Sequence, residues 1–135
     1  MSEPDLVYML DTNTVSYAMR GTGNVAERLR ARKPVELCMS ALTLAELRFG
    51  AEHKGSARIH KAIDTFIRTV HVAPFDAAAA ARFGTVAAVL VKLGMPIGDF
   101  DGLIAGHALS LDLVLVTNNT KHFARVKGLR TEDWL

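Results

Sequence analysis

The chain has 135 residues, half of them apolar and 22% charged, enough for one compact hydrophobic core and not the make-up of a globally disordered polymer. Sixteen basic against fourteen acidic residues leave a formal charge of +2, too small for composition alone to announce a nucleic-acid binder. The lone Cys38 excludes an intrachain disulfide, and its apolar setting in Val35–Met39 suits a buried, inert thiol.

The opening Met-Ser-Glu-Pro-Asp is acidic where a signal peptide would be basic. No apolar stretch reaches bilayer length without a charge or a turn, because Arg82 and Lys92 interrupt the Ala-rich run after Asp76. The expectation is a soluble, cytoplasmic protein with no membrane association.

Leu6–Leu10 is a short apolar run rich in strand formers, as in a strand buried on both faces. It stops at Asp11, and the following Thr-Asn-Thr suits a helix start. Val35–Met39 predicts a second strand with Ser40 as the next cap. Leu42, Ala45 and Phe49 beside Leu44, Leu47 and Ala51 then predict a helix buried over much of its surface. Ala57–Val70 predicts another helix, His71–Phe75 a strand, and Asp76 the cap of a helix to about Leu93. Gly94–Gly98 is a loop by its breakers. Phe100, Leu103, Ile104, Ala108 and Leu111 mark a further helix, and Leu113–Val116 a strand closed by the turn Thr117–Thr120. The terminal Leu135 is expected to dock on the body. Strands alternating with helices imply an α/β domain with a mainly parallel central sheet flanked by helices, one domain over 1–135 with its core from about 6 to 134.

Acids in three distant segments depart from this bland pattern. Asp11 lies at the carboxyl end of a strand, where open parallel sheets collect ligands, although taken alone a capping aspartate is the commoner explanation. Glu46 has Leu42, Thr43 and Phe49 at i−4, i−3 and i+3, and a carboxylate held near a dry surface needs a cation or metal. Asp99 and Asp101 start one helix nearly on opposite faces; position favours Asp99 as the cap and Asp101 as the functional group in the first turn. Acids without a cysteine pair or a close histidine pair favour oxygen ligation of Mg²⁺ or Mn²⁺ over zinc. A cation so held suits phosphoryl chemistry. Spacing alone does not bring these acids together.

Four segments carry a resemblance: Tyr-Met-Leu-Asp11-Thr-Asn-Thr, Leu-Thr-Leu-Ala-Glu46-Leu-Arg-Phe-Gly, Pro-Ile-Gly-Asp-Phe-Asp101-Gly-Leu-Ile-Ala and Leu-Val-Thr-Asn-Asn-Thr-Lys-His-Phe. In this order they resemble the signature blocks of VapC-type PIN domains, the toxin ribonucleases of VapBC toxin–antitoxin pairs, and Gly128-Leu-Arg-Thr-Glu-Asp-Trp resembles the family's usual ending. The resemblance implies a parallel sheet flanked by helices, an acidic pocket for Mg²⁺ or Mn²⁺, and hydrolysis of RNA phosphodiesters. It places Asp11, Glu46 and Asp101 on the three core acidic positions, with Asp99 at a more variable one. Further implied are a VapB-type antitoxin whose C-terminal segment occupies the groove, a homodimer, and a tRNA substrate, nearest to the members that cut initiator tRNA.

One departure concerns the last block, where members often carry a further acid. Here Asn119 and His122 stand instead, and fewer charges imply weaker metal affinity. Asn13 and Thr117 suit hydrogen bonding to the ligating carboxylates or a water, or merely a local cap or turn. The cations Arg20, Arg28, Arg30, Arg32 and Lys33 cluster early, and Lys121, Arg125, Lys127 and Arg130 late, with Arg125 and Lys127 the candidate RNA contacts. The other histidines, His53, His60, His71 and His107, show no ligand spacing.

Three rival readings remain. A haloacid-dehalogenase-type phosphatase wants an aspartate two residues after Asp11, where Asn13 stands. A response-regulator receiver needs an acidic pair that is missing. The third is a degenerate PIN domain acting as an RNA- or protein-binding module, which Asn119 and His122 keep open.

Overall fold

The computed structural model describes residues 5–135; the acidic opening weighed against a signal peptide lies largely outside the described residues. Five short strands, β1 (Tyr8–Leu10), β2 (Leu37–Ser40), β3 (His71–Ala73), β4 (Val114–Val116) and β5 (Thr131–Glu132), form one sheet in the order β3-β2-β1-β4-β5. Every neighbouring pair is parallel, with Met9 facing both Cys38 and Leu115. Seven helices flank the sheet: α1 (Thr12–Arg20), α2 (Val25–Arg30), α3 (Ala41–Lys54), α4 (Ala57–Phe66), α5 (Ala77–Lys92), α6 (Asp99–Ser110) and α7 (Thr120–Phe123). No helix among the described residues is long and apolar enough to cross a membrane.

The central strands read as continuous apolar runs because both of their faces are covered. Successive side chains point to opposite sides of a strand. Met9, Cys38 and Leu115 therefore enter one core with Leu90 of α5, Ala105 and Ala108 of α6 and Phe123 of α7. Leu10, Met39 and Val116 enter the other with Val15 of α1, Leu29 of α2, Leu47 of α3 and Ile63 of α4. The inert-thiol reading of Cys38 fits its complete burial.

Caps set most helix starts. Asp11, Ser40 and Asp76 each accept a backbone N–H with a side-chain oxygen, from Thr14 at 2.9 Å, Leu42 at 3.1 Å and Ala79 at 3.0 Å. The cap of α6 is Gly98, at φ 90°, and not Asp99 as position suggested. Gly98 supplies the turn and accepts from Gly102 N–H at 3.0 Å, so Asp99 becomes the first helical residue.

Three further expectations need correction or completion. The buried stripe of α3 is Thr43, Leu47 and Ala51, four residues apart, whereas Ala45 and Phe49 are exposed, Phe49 at 68%. The expected docking of Leu135 (43% exposed) is met by its carbonyl, which accepts from Asn24 N–H at 3.2 Å, and by its contact with Gly23, but the buried anchor is Trp134 (1%), whose ring meets Tyr8 edge-on at 4.9 Å and lies under the Arg32 guanidinium at 5.1 Å. The strand β5 and the helix α2 went unread in the sequence.

The pair α5 and α6 packs unusually close, since a Cβ at Gly106 would stand 2.5 Å from the Phe83 nitrogen and 2.7 Å from its Cα. One turn earlier, a Cβ at Gly102 would meet the Phe83 ring at 3.1 Å. Backbone cannot yield as a flexible side chain can, so Gly106→Ala is expected to destabilise the fold by about 2–4 kcal/mol in urea denaturation. A loss within experimental error would show that α5 can slide off α6 at no cost.

Candidate active site

The strand order reverses direction beside β1: the chain steps outward through β2 and β3, then returns to place β4 on the other side of β1. Such a switch point opens a crevice at the carboxyl ends of the two strands, here occupied by Asp11 after β1 and Thr117 after β4. The β1–β4 ladder runs one step past the strand, with Asp11 N–H donating to the Val116 carbonyl at 3.1 Å. The Thr14 hydroxyl donates to that same carbonyl at 3.0 Å, in full burial. Asp11 is thereby fixed at its backbone. Its Oδ1 caps α1, while Oδ2 has no protein partner among the described residues. Cap and ligand are compatible uses of one carboxylate.

Asp101 lies in the first turn of α6, half-buried, and its pKa is raised above the ordinary carboxylate value. Burial is the largest cause, and the charges of Asp11 and Glu46 push in the same direction; the His122 charge and hydrogen bond oppose them. Asp101 of α6 thus feels the charges of two acids from other parts of the chain, Asp11 after β1 and Glu46 on α3. Asp99, two residues back, is exposed.

Glu46 is exposed on α3, not held on a dry surface. The apolar neighbours that made it look dry turn elsewhere, Thr43 into the core and Phe49 to solvent. Arg48, as expected, points away and pairs with Asp64 at 2.6 Å, while its other guanidinium nitrogen meets His60 Nδ1 at 3.0 Å. Glu46 opens instead onto a groove of about 650 Å³ between α1, α3 and α4.

His122 stands at the opposite side of Asp101. Its Nε2 lies 2.8 Å from the Ile97 carbonyl and 3.1 Å from Asp101 Oδ2. A carbonyl only accepts, so Nε2 carries the proton and shares it between the two oxygens. Arg125 donates to the adjacent Pro96 carbonyl at 3.2 Å, and together these bonds staple the 94–98 loop to α7 just ahead of Asp101. Arg125 and Lys127 are both exposed, and of the two Arg125 is tethered beside the site.

The remaining candidates fall into place less directly. Asn119 is exposed, and its backbone N–H donates to Thr117 Oγ1 at 3.0 Å. Thr117 is fully buried and shapes that turn, with no hydrogen bond to the three acids. Asn13 is exposed on α1. The early basic cluster does not assemble: Arg32 stacks over Tyr8 and Trp134, while Arg20 lines the groove. In the late one, Arg130 pairs with Asp112.

Sequence reasoning missed a buried tie between two of the acid-bearing helices. His107 of α6 is 1% exposed, and its Nδ1 lies 2.9 Å from the hydroxyl of Ser40, which caps the helix bearing Glu46. Burial holds the His107 pKa below its ordinary value, and Phe75 packs edge-on against the ring at 5.2 Å. A lone histidine on an apolar helix carries no sequence signal for such a bond. The groove cations Lys54 and Arg58 also went unread, although Lys54 lies eight residues after Glu46, on the same helical face.

The donor set fits a hard divalent cation. It is all oxygen, and Asp101 meets the charges of Asp11 and Glu46 with His122 as its one contact of opposite tendency among the described residues. Among the described residues no three ligating side chains already stand close enough to enclose an ion. An ion that keeps several waters and takes one or two carboxylates is matched to that spacing.

A parallel sheet with acids at its switch point defines a nuclease-like α/β domain. The PIN domain family model matches residues 8–129, and the chain belongs to that family. Within it the chain is a VapC homologue. It is 44% identical over 131 residues to the tRNA(fMet)-specific endonuclease VapC of Shigella flexneri, covering 96% of this chain and 98% of the relative. The protein of that name from Salmonella typhimurium is 40% identical over 133 residues, with 96% and 98% covered. Among solved structures, VapBC2 from Rickettsia felis, bound to a promoter DNA fragment, superposes with a TM-score of 0.89 at 31% identity, covering 96% of this chain and 100% of the other. DNA-bound VapBC from Salmonella typhimurium gives 0.86 at 38% identity, with 96% and 99% covered.

A raised carboxylate pKa has a definite thermodynamic sign. The folded state disfavours ionised Asp101, so that ionisation costs stability above the folded pKa and nothing below the unfolded one. Asp101→Asn is therefore expected to raise the metal-free Tm at pH 7, with the gain vanishing near pH 3. A variant that melts lower at pH 7 would mean that Asp101 is stabilised where it stands.

Proposed function

We propose that the chain is a divalent-cation-dependent endoribonuclease, the toxin of a VapBC-type pair, which hydrolyses phosphodiesters of tRNA, initiator tRNA foremost, and so inhibits translation. The observation that carries this reading is the placement of Asp11 at the switch point between β1 and β4, with Asp101 in the first turn of α6 tied to His122 at 3.1 Å. The likeness to relatives named for tRNA(fMet) cleavage supports the substrate. The setting is the cytoplasm, where tRNA is found.

In this reading Asp11 and Asp101 hold Mg²⁺ or Mn²⁺, with Glu46 completing the acidic set and Asp99 lying outside it. Bound there, the cation would neutralise a phosphate oxygen and acidify a nearby water. The protein's own part is positional. The cap on Asp11 leaves Oδ2 for the ligand role, and His122 holds Asp101 Oδ2 so that Oδ1 is available. Glu46, the most solvent-open of the three, is placed to accept the proton from an attacking water. His122 Nε2–H can donate to a departing oxygen if it releases Ile97. Asn13, Thr117 and Asn119 shape the walls, and Arg125 and Lys127 flank the strand beyond α7.

A VapB-type antitoxin and a second copy of the chain are the proposed protein partners. The structural relatives are complexes with antitoxin. Val89, Val91 and Leu93 at the end of α5 stay exposed, an apolar surface of the kind that self-association covers.

Incubation of a total bacterial tRNA pool with Mg²⁺ or Mn²⁺ tests the proposal, wild type beside Asp101→Asn. Discrete cation-dependent cuts are expected from the wild type alone, with a rate loss of at least 10²-fold in the variant. If both folded, antitoxin-free proteins leave the pool intact, the chain is a binding module of the same fold. The missing fourth acid gives a second expectation: Asn119→Asp should tighten Mn²⁺ binding by about three- to tenfold in calorimetry. Unchanged affinity would place Asn119 outside the ligand shell.

A further inference from the structure

A polyanion cannot be drawn onto a cluster of acids unless cations hold it on either side. Arg125 and Lys127 supply one flank. The other flank lies in the groove between α1, α3 and α4, where Thr12, Ser16 and Arg20 line one wall and Glu46, Gly50 and Lys54 the other. Both triplets advance by four residues, so each is a stripe along a single helical face. Both stripes also begin beside the acids, at the residue after Asp11 and at Glu46, and end in a cation. Arg58, from the start of α4, lines the same groove.

Three features mark this as a ligand surface and not a solvated helix face. Arg20, Lys54 and Arg58 make no ion pair among the described residues, whereas Arg48 and Arg130 are paired with Asp64 and Asp112. Gly50 leaves the middle of the groove open, since a Cβ there would find nothing within 4 Å. The Thr12 hydroxyl oxygen is buried with no hydrogen-bond partner.

We propose that this groove is a phosphate-binding subsite for the RNA strand on one side of the scissile bond, with Arg20, Lys54 and Arg58 contacting its backbone. Eight residues of helix rise roughly 12 Å. The cations therefore meet phosphates about two nucleotides from the one being cut, the reach of a short unstacked segment. Thr12 and Ser16 are placed to bond the strand between those points. The acids repel the scissile phosphate on their own; the cations two turns away make its approach favourable. This inference rests on the ribonuclease reading above.

The test uses the full-length, antitoxin-free chain and a fluorescein-labelled initiator tRNA transcript. Binding is measured by anisotropy over a salt series in an Asp101→Asn background, and cleavage is measured in the wild-type background. Arg20→Gln, Lys54→Gln and Arg58→Gln are combined, all three positions being exposed. A charge-matched control combines Arg68→Gln, Arg82→Gln and Lys92→Gln, also exposed. Each phosphate contact to a single strand contributes a slope of about −0.7 in log K against log salt. The groove variant should therefore be shallower by about 2, bind at least tenfold more weakly at moderate salt, and raise KM with kcat kept within about twofold. The control should change neither slope nor KM.

Equal slopes for the groove variant and the control, with wild-type cleavage intact, would overturn the subsite and leave the nuclease standing. Unchanged RNA affinity with weakened antitoxin binding would also overturn it, making the groove a protein-docking surface alone. If the wild type binds the transcript but does not cut it, the nuclease reading fails, while the salt slopes still decide the subsite.

Discussion

The site depends on a half-buried carboxylate, because Asp101 in the first turn of α6 is held where burial makes its ionisation harder. Asp101 feels both Asp11 and Glu46 as charges that make its own ionisation harder. A flexible loop would relax by swinging one of them into solvent. Here each acid sits on an element whose position is set by something other than the acid. Asp11 is pinned by the β1–β4 ladder and the Thr14 hydroxyl. Asp101 rides on a helix locked to α5 by glycines with no room for a methyl group. Glu46 is carried by α3, whose Thr43–Leu47–Ala51 stripe is sunk in the core. The repulsion is borne by the fold rather than by the site.

Local dipoles reduce that repulsion without neutralising it. The amino end of α1 gives its Thr14 N–H to Asp11, and Asp101 lies in the first turn of α6, where the helix dipole favours negative charge. His122 adds a shared proton on the outer side. None of these interactions cancels the effect of burial, which remains the largest influence on Asp101. The His107–Ser40 bond belongs to the same economy, since it places a half-satisfied imidazole in an apolar layer to join α6 to the cap of α3.

Much of the scaffold was legible because its signals are local. Continuous apolar runs marked β1, β2 and β4, and Asp11, Ser40 and Asp76 marked helix starts through cap chemistry that needs no tertiary partner. The two-residue β5 has no periodicity to read, and its strand state comes from pairing with β4. At Gly98 a positive φ overrode the usual preference for Asp99 as a cap. The site divides similarly. Asp11 announced itself by position and Asp101 by the motif, but Glu46 was singled out for a dry environment it does not have. Its significance lies in proximity to Asp101, a through-space property set by sheet order. His122 could be recognised only as a departure from a pattern, because its partner, the Ile97 carbonyl, is backbone and invisible to residue spacing.

The replacement of a fourth acid by neutral or cationizable groups has a logic in the substrate's charge. Each additional carboxylate would strengthen the hold on a cation and also the repulsion of a phosphodiester approaching it. Asn119 and His122 remove up to two negative charges from the wall nearest α7, where Arg125 and Lys127 lie. The opposite wall retains Glu46 and places its cations two helical turns away, so attraction there acts on neighbouring phosphates rather than the reacting one. Metal affinity and strand affinity therefore pull the same wall in opposite directions. On the proposed reading, Asp11, Glu46 and Asp101 stand beside the reacting phosphate, while Arg20, Lys54 and Arg58 stand where its neighbours would fall.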